Sequence, residues 1–142
     1  MIQAILIPLF VQVALTFALW LGMASLRTRD IASGAVDRNR IALREPNWPP
    51  RTTQFMNSFA NQFEVPVLFY VLVILLIVLR HADLLFVVLA WIFVLSRIAQ
   101  ATVHVTSNRV LWRGQAYGLG VLVLLIMWVI FAVEILTVIG PR

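Results

Sequence analysis

Six polar side chains in an otherwise apolar chain have the types and spacing to do chemistry together. Asn57, Asn61 and Glu64 fall at i, i+4 and i+7, and Arg97, Gln100 and His104 at i, i+3 and i+7. Either spacing puts its three residues on one face of a helix. A carboxylate, a guanidinium, an imidazole and three amides can bind a small charged molecule and fix its orientation, and Glu64 and Arg97 can pair. Chemistry based on the chain's own thiols is excluded, because there is no cysteine. Disulfides, thiolate metal sites and a cysteine nucleophile go with it, so any thiol must arrive with a ligand. His81 and His104 form no metal motif.

The elements that must position these residues are membrane helices. Of 142 residues, 62% are hydrophobic and the mean hydropathy is +0.96, well above the roughly half-apolar composition of soluble domains. Crossing the hydrocarbon core takes about 20 apolar residues. Four spans are predicted, over 2–26, 55–79, 84–107 and 113–139. They imply an all-α, up-down four-helix bundle, with residues 1–142 as a single domain. The first span has neither a basic n-region nor an A-x-A site, which reads as a retained helix rather than a signal peptide. Pro8 is a candidate kink. Gly114/Gly118 and Ala116/Gly120 form small-xxx-small pairs suited to close helix packing in lipid.

All eleven basic residues are arginine, and net charge is +5. That balance does not point to nucleic acid, because only 12% of residues are charged and the arginines sit mostly in loops. The 27–51 loop carries Arg27, Arg29, Arg38, Arg40, Arg44 and Arg51, and closes on "REPNWPPR", where Pro46, Pro49 and Pro50 argue against regular helix. Arg109 and Arg113 fall on the same side, whereas Arg80 and Arg142 fall on the other. The positive-inside rule therefore predicts a cytoplasmic 27–51 loop with both termini outside. The all-arginine usage suggests a bacterial protein, expected in the inner membrane. Trp20, Trp48 and Trp112 are predicted interface anchors, Trp91 and Trp128 packing residues, and Glu134 a side chain reaching the headgroups.

Depth makes the polar stripes informative. The apolar run Val65–Leu79 covers about 22 Å and Leu84–Leu95 about 18 Å at 1.5 Å per residue. Both are too short to span alone, so each helix must carry its polar stripe into the membrane at the same end. Charges there cost energy unless they face the bundle interior and find partners. An intramembrane pocket follows, with Glu64 and Arg97 paired, Asn61 and Gln100 hydrogen-bonded, and Tyr117 at about the pocket's level.

With "NQFEVP" opening the second span, Arg97 before a polar end of the third, "TSNRVLWRG" after it and a basic first loop, the chain resembles the MAPEG family, the membrane-associated proteins in eicosanoid and glutathione metabolism, over nearly its whole length. The resemblance implies a homotrimer that binds glutathione between subunits near the cytoplasmic face and acts on a hydrophobic small molecule dissolved in the bilayer. It assigns ligand binding to Asn61, Glu64 and Arg97, with Asn57, Gln100 and His104 at neighbouring positions. Arg109 or Arg113 would stabilise the glutathione thiolate. Departures from the family pattern are Asn57 where several members carry arginine, Gln100 and His104 near the tyrosine positions of the eicosanoid branch, and Leu111 near the position of the activating arginine. The expected function is that of a glutathione S-transferase or lipid hydroperoxide peroxidase. The alternative is a non-catalytic ligand-binding or scaffolding protein built round a structural Glu64–Arg97 pair. A proton-coupled multidrug transporter fits less well, because its membrane glutamate belongs in the middle of the first helix.

Overall fold

The computed structural model describes residues 1–138. Its helices are α1 (Ile2–Ala32), α2 (Pro50–Ala60), α3 (Val65–Val78), α4 (Leu84–Val105) and α5 (Val110–Val138), and there are no strands among the described residues. Four segments are long and apolar enough to cross a membrane: α1, α2 and α3 taken together, α4, and α5. The protein is an integral membrane helical bundle. The expected end of the last span at Ile139, and Arg142, lie outside the described residues.

The element bounds differ from the sequence reading in ways local chemistry explains. α1 continues past Leu26 through Arg27 and Arg29 to Ala32, and Pro8 sits inside it without ending it. α2 starts at Pro50, earlier than Phe55, with proline in the first turn. Its missing N–H costs nothing there, since the first helical N–H groups have no intrahelical acceptor. The second span is not one continuous helix. Between α2 and α3 a single 3-10 turn covers Asn61–Phe63, and Glu64 has φ −98° and ψ −109°. Pro66 supplies the cause, because it lacks an N–H and its ring clashes with the carbonyl four residues back, that of Gln62.

α4 packs on α1, α2 and most extensively on α5. Ile5, Phe69, Leu72, Leu76, Phe86, Ala90, Phe93 and Met127 are fully buried in the core, with Phe69 and Phe93 stacked at 4.6 Å between centroids. Outward-facing Phe10, Phe17, Leu68, Val88 and Leu125 are exposed, as suits a chain whose solvent at that depth is hydrocarbon. In lipid the helices gain little by hiding apolar surface from one another, so close packing carries the association. Two glycines allow it. A Cβ on Gly22 would overlap the Phe55 ring, and one on Gly120 would lie 2.6 Å from Ser96 Oγ. Gly114 and Gly118 meet nothing within 4 Å, so of the three glycines in those pairs Gly120 is the one pressed against another helix of the same chain. Gly22→Val is expected to lower stability by about 1–3 kcal/mol, the usual cost of overpacking, read as a lower midpoint of thermal unfolding in detergent.

Side chains tie the arginine-rich end together. Thr52 Oγ1 donates to Asp30 Oδ2, joining α2 to the end of α1. Arg51 Nη1 donates to Val105 O at 2.6 Å, reaching the end of α4. Trp48 is buried beneath the Arg27 guanidinium at 4.8 Å, rather than standing out as an interface anchor: the loop folds back and offers its indole a cation. Trp20 and Trp112 are exposed. At the opposite end Glu134 does not reach outward alone, because His81 Nδ1 lies 3.3 Å from Glu134 Oε2. This contact is partly exposed. Glu134→Gln is expected to cost no more than about 1 kcal/mol, measured by the same unfolding assay.

Candidate functional site

The polar residues of the second and third spans meet at a cavity of about 490 Å³ between α2, α4 and α5, at the arginine-rich end. Asn57, Ala60, Asn61 and Glu64 form one wall, Gln100 and His104 a second, and Val110, Arg113, Gly114 and Tyr117 the third. The volume falls within the roughly 300–1,000 Å³ usual for small-molecule sites. Asn57, Glu64 and Gly114 are exposed in the single chain, so the cavity opens on the flank of the bundle.

Each wall has a local origin. The interruption at 61–64 ends the helical register of α2, leaving Asn61 on the 3-10 turn and Glu64 at its exit. The i, i+4, i+7 stripe is therefore not drawn on one regular helix, yet all three members still face the cavity. On α4 the stripe is helical throughout, and Gln100 and His104 are both buried. His104 Nδ1 is 3.5 Å from Asn61 Nδ2, a long contact that links the two walls. At the turn from α4 to α5, Asn108 takes a left-handed conformation, φ 48°. Its Oδ1 accepts from Arg113 Nη1 at 2.7 Å, which fixes the guanidinium at the cavity's edge.

The candidate arginines separate. Arg113 lines the cavity. Arg109 is exposed and does not. Arg97, read as a partner of Glu64 and a ligand residue, is 0% exposed and is not among the lining residues. Its Nη2 donates to the carbonyl oxygen of Asn61 at 3.2 Å, and its guanidinium lies 5.3 Å from the centroid of Tyr117. The expected Glu64–Arg97 pair does not form: among the described residues the one contact within 4 Å between a basic and an acidic side chain is His81–Glu134. Arg97 is engaged instead by the Asn61 carbonyl, which also accepts a long bond from the Glu64 N–H at 3.5 Å, and Glu64 stands exposed at the rim.

The cavity wall thus holds one guanidinium, Arg113, against one carboxylate, Glu64, with the buried Arg97 guanidinium outside the lining. Arg97 Nε and Nη1 and Gln100 Oε1 are buried without hydrogen-bond partners. Such atoms are costly to leave unpaired. The donor set suits a ligand with anionic groups, and Glu64 adds an acceptor for a cationic one. A compact zwitterion with excess negative charge matches both.

A second polar cluster, on the far side of the α2–α3 interruption, was not anticipated. Gln12 and Gln62 are 0% and 1% exposed. Gln12 Nε2 donates to Gln62 Oε1 at 2.9 Å, and Gln62 Nε2 donates to Ser58 O at 3.0 Å. The available signal was Gln12, an amide in the middle of the first apolar span, which by itself names no partner.

The chain belongs to the MAPEG family, whose model matches residues 5–133. That family includes glutathione transferases and peroxidases, members that use glutathione as a substrate or cofactor. No curated protein and no solved structure matches the chain.

Proposed function

We propose that this protein is a glutathione-using member of its family, a glutathione S-transferase or lipid hydroperoxide peroxidase acting on electrophiles dissolved in the bilayer. The observation that carries the reading is the cavity, in which Asn57, Asn61, Glu64, Gln100, His104 and Arg113 converge over buried, unpartnered polar atoms. Glutathione supplies the thiol that the chain itself lacks.

The residues divide the work by chemistry. Glu64 accepts from a ligand ammonium at the rim. Asn57 and Asn61 offer amide donors and acceptors to the tripeptide backbone, and Gln100 and His104 do so from the opposite wall. Arg113 holds the thiolate, since a nearby guanidinium favours the charged form of a thiol that otherwise titrates near 8.5. Arg97 contributes positive charge from beneath the floor.

An apolar groove supports a membrane-dissolved second substrate. Val65, Leu68, Val121, Leu124, Leu125 and Trp128 line a space of about 430 Å³ between α3 and α5. It begins one residue beyond Glu64 and one helical turn beyond Tyr117, so an apolar molecule lying in it ends near the cavity. The reading includes a homotrimer, supported by the cavity's opening on the flank. It also includes a bacterial inner-membrane location with the arginine-rich end in the cytoplasm, supported by the charge asymmetry of the loops. A scaffold built on a Glu64–Arg97 bridge has less support, because that bridge is not made.

The test is turnover in proteoliposomes, with glutathione plus either an apolar aryl halide or a phospholipid hydroperoxide. Conjugation or peroxide reduction above the protein-free rate supports the proposal. Glu64→Gln should raise KM for glutathione about tenfold, the loss of one charge-assisted contact. Rates equal to those of empty vesicles with both substrates would overturn it.

A further inference from the structure

We propose that the buried Gln12–Gln62 amide pair and Arg97 are positioning residues, which clamp the interruption between α2 and α3 from its two sides and so aim Asn61 and Glu64 into the cavity. The inference rests on the ligand site proposed above, although the clamp itself is read from other atoms.

The interruption needs such a device. Pro66 breaks the helix but does not determine where the two halves point. Inside a membrane the freed backbone groups find no water, and breaks persist where neighbouring side chains satisfy them. Here the neighbours come from two helices. From α1, Gln12 holds the Gln62 amide, which bonds to the carbonyl of Ser58 one turn back. From α4, Arg97 holds the carbonyl of Asn61. These contacts bracket residues 58–62, the stretch in which α2 gives way to the 3-10 turn. Neither glutamine lines the cavity, and both are uncharged. Their influence on a ligand can run only through the placement of Asn61 and Glu64.

Arg97 fits the same role. Its one hydrogen bond in the chain goes to backbone, and it is fully buried and not among the residues that line the cavity. A guanidinium is suited to such a task, since it stays charged and presents several donors in a fixed fork.

The decisive variant is Gln12→Leu/Gln62→Leu. Removing both amides together avoids leaving one of the pair unpartnered, so the cost to stability should be smaller than for either glutamine removed alone. Positioning should be lost. The natural absence of cysteine permits labelling at Thr53→Cys in α2 and Val78→Cys at the end of α3, with spin-label distances measured in nanodiscs. The expected result is a broadened Thr53–Val78 distribution together with a Kd for glutathione raised about tenfold. A double variant with the wild-type distribution and the wild-type Kd would overturn the proposal. If the parent protein binds no glutathione, the ligand reading fails, and the label distances still decide whether the amide pair sets the α2–α3 angle. Should the double variant not fold, Gln12→Met is read by the same distances. An unchanged distribution there overturns the clamp equally.

Discussion

Arg113→Gln should leave a folded protein that still takes up glutathione but no longer ionises it. The guanidinium is the one arginine on the cavity wall, held by Asn108 at 2.7 Å. Its charge stabilises a thiolate and does nothing comparable for a neutral thiol, so its loss raises the pKa of bound glutathione toward the free value near 8.5. The sign is therefore fixed. Thiolate absorbance present at neutral pH in the parent should, in the variant, appear only as pH rises toward that value. Turnover at neutral pH should fall by about 10²-fold or more, the scale seen when one preorganised charge-stabilising donor is removed. Arg109→Gln is the matched control, because Arg109 stands outside the cavity and carries the same charge. Equal losses in the two variants would point to a diffuse electrostatic effect and count against the assignment.

Gly120→Val is expected to damage stability and site together. α4 and α5 share the most extensive contact in the bundle, and Gly120 packs against Ser96 and the Arg97 side chain. A Cβ would stand 2.6 Å from Ser96 Oγ and 3.5 Å from Arg97 Cδ. Serine can rotate away from a single methyl by giving up its bond to Phe93 O, so Gly120→Ala should be tolerated at modest cost. Valine adds two more methyl groups and leaves that rotation insufficient. The helices must part, at about 1–3 kcal/mol, and the shift displaces Arg97 from the Asn61 carbonyl. A lower unfolding midpoint and weaker glutathione binding should therefore appear in the same variant. Unchanged unfolding would show that the α4–α5 contact is looser than the structure has it.

The gathering of the cavity residues was legible because it followed from lengths. Two apolar runs were too short to span, and the residues completing them were polar at matching ends, so Asn57, Asn61, Glu64, Gln100 and His104 had to share a depth. Partner choice within that layer was not legible. Pairing Glu64 with Arg97 by charge assumed a continuous helix, and the assumption failed at Pro66. The proline was in plain view within "FEVP", but that the interrupted stretch would set the Asn61 carbonyl against Arg97 depends on where α4 lies. Choosing between Arg109 and Arg113 also required the Asn108 turn, since four residues separate the two and only the turn's geometry decides which one faces inward. Trp48 was misplaced for a similar reason. It was assigned to the membrane interface by its type, and it is buried against Arg27 by a loop whose path composition does not specify.

The central claim, that the cavity is a glutathione site, is tested most directly by titrating glutathione into the detergent-purified protein in a calorimeter. Saturable heat that competing S-alkyl glutathione displaces, with affinity reduced by Glu64→Gln, is the expected result. No saturable heat at millimolar glutathione, from protein shown to be folded, would contradict it.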